Sequence, residues 1–337
     1  MLKRAERTHM KRKLFSVLTL ILALVLPQTV FAWGPTGHQV VAGIAWDNMT
    51  PTARQKALTL LQAAPSDACL LNLFPNDARP LPERQREFFM RVSTWPDIVR
   101  PNEEDTRPCT RFHRRNWHFI NYFWEGISGG SGDDAPRDRE DIEIAEINAV
   151  ERLKFFRPLV ACDTPSCGTP LQERATTLAW ILHLVGDIHQ PLHTSGRVTS
   201  RPREREGDQG GNLFKLGPFN DSLSLHSFWD GIVDRAEPRR EDERDNNLAY
   251  LNRIIGMITT QHPRSGMVSR LRSGEFEAWS LEGFDKTKRL IYPGTLERGR
   301  MPNSEYTGLA FRTSKETIAL AGYRLADLLN QMLGSAP

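Results

Sequence analysis

Seven of the nine histidines stand in short runs beside aspartate, tryptophan or proline. The densest run is Trp180-Ile-Leu-His183-Leu-Val-Gly-Asp187-Ile-His189-Gln-Pro-Leu-His193. His183 and Asp187 are four apart, so on a helix they share one face, about one turn apart. There both can reach one metal ion, or the carboxylate can bridge two. Pro191 is expected to end the helix and re-aim the chain, freeing His193 for a separate ion. Leu225-His226-Ser-Phe-Trp-Asp230 repeats the His/Asp spacing. Further donors are Asp97 in Trp95-Pro-Asp97, His118 in Trp117-His-Phe-Ile-Asn121, and His38 in Trp33-Gly-Pro-Thr-Gly-His38.

Imidazole and carboxylate without thiolate suit Zn²⁺ in a catalytic role, where a coordination position stays open for water. Taken singly, each cluster reads more simply as a core histidine or a helix-surface pair. Together they point to metal. Burying so many ionisable groups is costly unless cations compensate them.

The elements that must position these residues are helical. Apolar periodicity and start signals predict helices over Val40–Trp46, Thr52–Gln62, Glu83–Val92, Ile142–Phe156, Leu171–Asp187, Ser224–Ala236, Leu248–Thr260, Gly274–Phe284 and Ser314–Leu333. Strand signals are few. Gly126–Pro136, Ser195–Gly211 and Glu237–Asn246 read as solvated surface loops. The expected fold class is all-α, one mainly helical domain.

Met10–Lys13 is basic-flanked, Leu14–Leu26 is an apolar run, and Val30-Phe-Ala32 has the small residues of a cleavage site. This describes a secretory signal over 1–32. The run is short for a span of roughly 20 apolar residues. Cleavage would leave 33–337 as the mature domain, secreted or periplasmic, with no stable membrane association. The whole chain is +3; residues 1–32 carry six Lys/Arg and one acidic residue, so removing their +5 leaves −2. No basic excess announces a nucleic-acid binder. Any anion must be held by local chemistry.

Four cysteines in an exported chain suggest disulfides. Cys162 and Cys167 bracket a turn-forming stretch and form the first expected pair, which leaves Cys69–Cys109. A cysteine zinc site is the competing reading, but no pair has C-x-x-C spacing.

The order W-G-x-x-G-H, W-x-D, W-H-F-I, H-x-x-x-D-x-H-Q-P-L-H, G-G-N and L-H-x-x-W-D resembles the S1/P1 nuclease family of extracellular, single-strand-preferring nucleases and 3′-nucleotidases. It is more distantly similar to bacterial zinc phospholipases C. The motifs run from Trp33 to Asp230, and residues 321–330 extend the likeness. The resemblance implies a helical, phospholipase C-like fold holding three zinc ions. Asp97, His118 and His183 would take one, with Asp187 bridging to a second held by His38 and by the α-amine and carbonyl of Trp33. His193, His226 and Asp230 would take the third. Hydroxide generated at the close pair, framed by Asp97 and Asp187, would attack phosphorus in single-stranded DNA, RNA or a 3′-nucleotide and leave 5′-phosphate products. Phe119 would stack a base, and Asn212 of Gly210-Gly211-Asn212 would bond a base edge. Asn121 departs from a family aspartate; it can orient water but not accept its proton. His189 is not at a ligand position. His113, Arg114 and Arg115 read as a solvated charge run. Asp230 and the Gly-Gly-Asn segment favour a nuclease over a phospholipase C, whose family carries glutamate at that ligand. A non-catalytic zinc-binding exported protein is the third reading. A monomer is the default.

Overall fold

The computed structural model describes residues 33–125, 137–138, 143–162, 168–217 and 223–334. The expected signal segment, the 126–136 loop and Cys167 lie outside the described residues.

Helices dominate, as the periodicity predicts. They are α1 (Pro35–Asn48), α2 (Pro51–Gln62), α3 (Leu81–Val92), α4 (Trp95–Ile98), α5 (Ala149–Ala161), α6 (Leu171–Asp187), α7 (Leu225–Asp230), α8 (Ile232–Ala236), α9 (Asn247–Gln261), α10 (Phe276–Lys286) and α11 (Ser304–Leu333). Their starts follow local chemistry. Thr50, Asn148, Ser224, Asn246 and Asn303 each accept a backbone N–H of the first turn through a side-chain oxygen. Proline opens α1 and α2, where its missing N–H costs nothing.

Helix α6 is the central element. Every residue from Arg174 to Asp187 is buried, the pattern of a helix enclosed all round. It packs on α5, α2, α11 and α4, while α1 lies against α11, α3 and α9. A small sheet borders this bundle: β1 (Tyr122–Glu125) pairs antiparallel with β2 (Arg137–Asp138) and parallel with β3 (Ser195–Val198), with Tyr122 opposite Ser195. A disulfide joins Cys69 and Cys109, 40 residues apart, and so closes a loop around α3 and α4. Cys162 is disulfide-bonded as well.

Four expectations need correction. The helix expected over Ile142–Phe156 starts only at Ala149. Asn148 caps it there, and Ile144 and Ile147, which keep the apolar period, are exposed. Ser195–Gly211 is solvated mainly at its middle, where residues 200–203, Arg205 and Glu206 are exposed; β3 is buried throughout and Asp208 is fully buried. Pro191 does not end α6, which stops at Asp187. The pre-proline residue Gln190 is extended, and Pro191 opens a 3-10 turn, Pro191–Thr194. Ser224–Ala236 is two helices that meet at Gly231.

Candidate metal centre

Eight of the nine expected donors, all but Trp33, converge from six segments. His38 comes from the first turn of α1 and Asp97 from α4. His118 follows the 3-10 turn Arg115–Trp117. His183 and Asp187 lie one turn apart on α6, His193 sits in the turn after it, and His226 and Asp230 belong to α7. Three clusters of side chains have donor atoms within 4.8 Å of one another: Asp97, His118 and His183; His38, His183 and Asp187; and His193, His226 and Asp230.

Ring tautomers follow from carbonyl contacts. His183 Nδ1 lies 2.7 Å from the Ser93 carbonyl, His193 Nδ1 2.7 Å from that of His118, and His226 Nδ1 2.7 Å from that of Gly210. A carbonyl only accepts, so each Nδ1 carries the proton and each Nε2 keeps its lone pair. His193 Nε2 and His226 Nε2 then face each other at 3.0 Å, with Asp230 Oδ2 3.6 Å from the latter. Burial holds His193 far below the usual imidazole range and His226 at about 4, so neither ring carries a second proton at neutral pH to relieve the contact. Two facing lone pairs beside a carboxylate make a cation site.

The other two clusters have His183 in common, and Asp187 lies between them. Its Oδ1 is 3.3 Å from His38 Nε2; its Oδ2 is 3.3 Å from His118 Nδ1 and 3.2 Å from His183 Nε2. One oxygen therefore serves each side, as a bridging carboxylate must. The single lone pair of His183 points at His118 Nδ1, 2.9 Å away, and at Asp97 Oδ1, 3.8 Å away, so it belongs with the first cluster. That leaves His38 and Asp187 short of a third donor. Both His38 ring nitrogens, both Asp187 oxygens and Asp230 Oδ2 are buried without a hydrogen-bond partner among the described residues. Orphaned buried polar atoms of this kind are costly, and a bound cation satisfies them. Burial raises Asp97 to about 7 and Asp187 to about 6, lowers His118 to about 4, and holds His38 well below the usual imidazole range. Divalent cations fit this donor set.

Trp33 is fully buried beside the clusters. The next residue's N–H, on Gly34, donates to the Asp230 carbonyl at 2.9 Å. Gly186 lets His38 in: a Cβ there would lie 2.7 Å from His38 Nδ1. Gly210, at φ +61°, brings its carbonyl to His226 where a side chain would meet the Leu192 carbonyl.

A cleft of about 590 Å³ opens over the clusters, lined by Asp97, His118, His193 and His226 and also by Phe119, Asn121 and Asn212. Phe119 and Asn121 are half-buried at its wall. Asn212 is tied down locally: its Nδ2 donates to the Gln209 carbonyl at 2.8 Å and its Oδ1 faces Ser224 Oγ at 3.4 Å. The solvated-run expectation suits Arg114, whose guanidinium folds back on the Arg111 and His113 carbonyls, but His113 and Arg115 line the cleft. His189 lies apart, against the Val185 carbonyl and Arg324, in a structural role.

Sequence reasoning missed two positioning groups. Gln190 donates to Asp230 Oδ1 at 2.7 Å and accepts the Leu192 N–H at 2.6 Å, so it aims the carboxylate and shapes the turn that carries His193. The Ser93 carbonyl orients His183. A buried glutamine before a proline, inside a run of donors, was the available signal for the first; a backbone carbonyl leaves none.

The profile of the S1/P1 Nuclease family matches residues 33–334. The chain belongs to the S1/P1 nuclease family. Endonuclease 2 of Arabidopsis thaliana is 21% identical over 322 residues, which is 94% of this chain and 96% of the relative. Endonuclease 3 of the same plant is 26% identical over 216 residues, 62% of this chain and 58% of the relative. Nuclease S1 of Aspergillus oryzae is 23% identical over 209 residues, 61% of this chain and 56% of the relative. The family match starts at Trp33, the residue predicted to follow the signal segment.

Proposed function

We propose that the chain from Trp33 onward is one exported domain, a zinc-dependent nuclease that cleaves single-stranded DNA and RNA to 5′-phosphate products and also acts on 3′-nucleotides. Residues 1–32 would be removed on export; among the described residues no helix is long and apolar enough to cross a membrane. The observation that carries the proposal is the donor geometry: orphaned atoms of His38, Asp187 and Asp230, Asp187 lying between two clusters, and a third cluster with facing lone pairs.

Asp97, His118 and His183 would hold one Zn²⁺, His38 with Trp33 a second, and His193, His226 and Asp230 a third, with Asp187 between the first two. When bound, such ions supply Lewis acidity, acidifying water and offsetting charge that gathers on a phosphate. The chain's own residues do the positioning. Ser93, His118 and Gly210 carbonyls fix the three rings, and Gln190 fixes Asp230. Asn121 at the cleft wall orients water without taking its proton. Phe119 offers a face for an unpaired base. Asn212 reaches a base edge only after giving up its Gln209 bond, so its part in recognition is the weaker.

The test offers single-stranded DNA, RNA, a 3′-mononucleotide and phosphatidylcholine to the purified protein with and without zinc. Nucleic acid and the 3′-nucleotide are expected to be cleaved only with zinc. Cleavage of phospholipid with untouched nucleic acid would make it a phospholipase C. Three bound zinc ions with no turnover would make it a non-catalytic binder.

A further inference from the structure

The cleft extends beyond the donor clusters. Asp97, itself a donor, is the single carboxylate among the described residues that line it, while Arg100, Arg115, Arg203 and Lys215 all reach its wall. Arg100 and Arg115 belong to the segments that carry Asp97 and His118. Arg203 comes from the 3-10 turn Pro202–Glu204, and Lys215 follows Asn212 in the loop whose Gly210 carbonyl holds His226. The cations thus accompany two different parts of the donor array.

Arg115 and Arg203 are exposed and make no ion pair or hydrogen bond among the described residues. The nearest acid in sequence to Arg203 is Glu204, but it is buried and committed to Arg298 at 2.8 Å and Thr199 at 2.8 Å. Elsewhere on the surface, arginines such as Arg86, Arg107 and Arg253 are held by carboxylates. Two unpaired arginines would be unremarked on an open face. Here they stand on the wall of one cleft, in a chain that is net −2 from Trp33 onward. Their attraction is therefore local, felt within a Debye length of about 8–10 Å. A planar guanidinium without a carboxylate partner is suited to phosphate oxygens.

We propose that Arg115 and Arg203, which line the cleft outside the donor set, contact backbone phosphates beyond the one at the donor clusters, so that the cleft takes a single-stranded polynucleotide over several nucleotides rather than one nucleotide at a time. This rests on the nuclease reading. Phosphate contacts set position and affinity without reading sequence, and Phe119 in the same cleft adds sequence-tolerant stacking. A zwitterionic lipid headgroup has one phosphate, so once that phosphate lies at the donor clusters none is left for these arginines.

The experiment compares the zinc-loaded wild type with R115Q/R203Q and R115K/R203K on oligodeoxythymidylates of two to twelve nucleotides, over a range of salt. In the wild type, kcat/KM is expected to rise with length. The glutamine variant should lose about tenfold on the longer strands through KM, and its log–log salt dependence of binding should flatten by about 1.4 for two lost phosphate contacts on a single strand. The lysine variant should keep the wild-type slope, because the charge remains. Unchanged length dependence and salt slope in the glutamine variant would overturn the proposal. So would an equal loss on the dinucleotide and the twelve-mer, which means damage at the donors. If the zinc-loaded wild type cleaves no oligonucleotide at all, the nuclease reading itself fails, a separate outcome from the other two.

Discussion

The imidazoles of His193 and His226 are held lone pair to lone pair by their own backbone surroundings, and Asp230 completes the cluster because Gln190 aims it. Removing Gln190 frees Asp230 Oδ1 and the Leu192 N–H together. Gln190→Ala is therefore expected to weaken metal affinity at this cluster by about 10–100-fold, the usual size for a residue that orients a ligand. Zinc titration of the variant should show one weakened site and two unaltered ones; three unaltered sites would reduce Gln190 to a turn-former. At this scale much of the candidate centre is legible in the sequence, because donor chemistry is written in residue types: the His183/Asp187 and His226/Asp230 spacings single out two pairs, which point to metal only in company with the other donors. The carbonyls of Ser93, His118 and Gly210 are not, since any residue supplies a carbonyl and only the fold decides where it points.

Among elements, the segment after β3 shows how a loop becomes part of the centre. Asp208 is fully buried; its Oδ1 accepts the Arg197 N–H at 3.0 Å and its Oδ2 accepts the Tyr292 hydroxyl at 2.6 Å. This clamps the Gly207–Gly211 turn to β3 and sets the carbonyl that orients His226. Tyr292→Phe leaves a buried carboxylate oxygen without its donor and should cost about 1–3 kcal/mol, read from denaturant unfolding. It should also lower affinity at the His226 cluster; lost stability with unaltered zinc binding would separate the clamp from the centre. Helices were legible where apolar period and a start signal agree, as in α2, capped by Thr50, and α6, which follows Pro170. They were not where the two conflict. Ile144 and Ile147 keep the period upstream of α5, yet the Asn148 cap starts the helix and leaves both outside. The four-residue α4, which carries Asp97, is too short to show a period, and β3 is polar in sequence but buried by pairing with β1.

Across the whole molecule, one core of packed helices brings donors together from Trp33 to Asp230, and the Gly34–Asp230 bond draws the start of the described chain onto the third cluster. With His183 assigned to the first cluster, His38 and Asp187 lack a further side-chain donor among the described residues, and the proposal gives that place to the Trp33 amine. An amine exists there only after cleavage. A form with one glycine added before Trp33 is expected to bind about one zinc ion fewer and to lose at least about tenfold in turnover, in line with the loss of a ligand shell contact. Elemental analysis of the two forms decides it, and equal zinc content would show the amine dispensable.

The Cys69–Cys109 bridge has a practical side. It fastens the stretch that delivers Asp97, and closing a loop of 40 residues is worth about 4 kcal/mol on the chain-entropy estimate. Making this protein in a reducing cytosol, or storing it with a thiol reagent, would slacken the strap on Asp97. On the proposed zinc reading, thiol reagents would also compete for the metal. A preparation could therefore fade on the shelf for two reasons at once, and the remedy is an oxidising expression compartment and a thiol-free buffer.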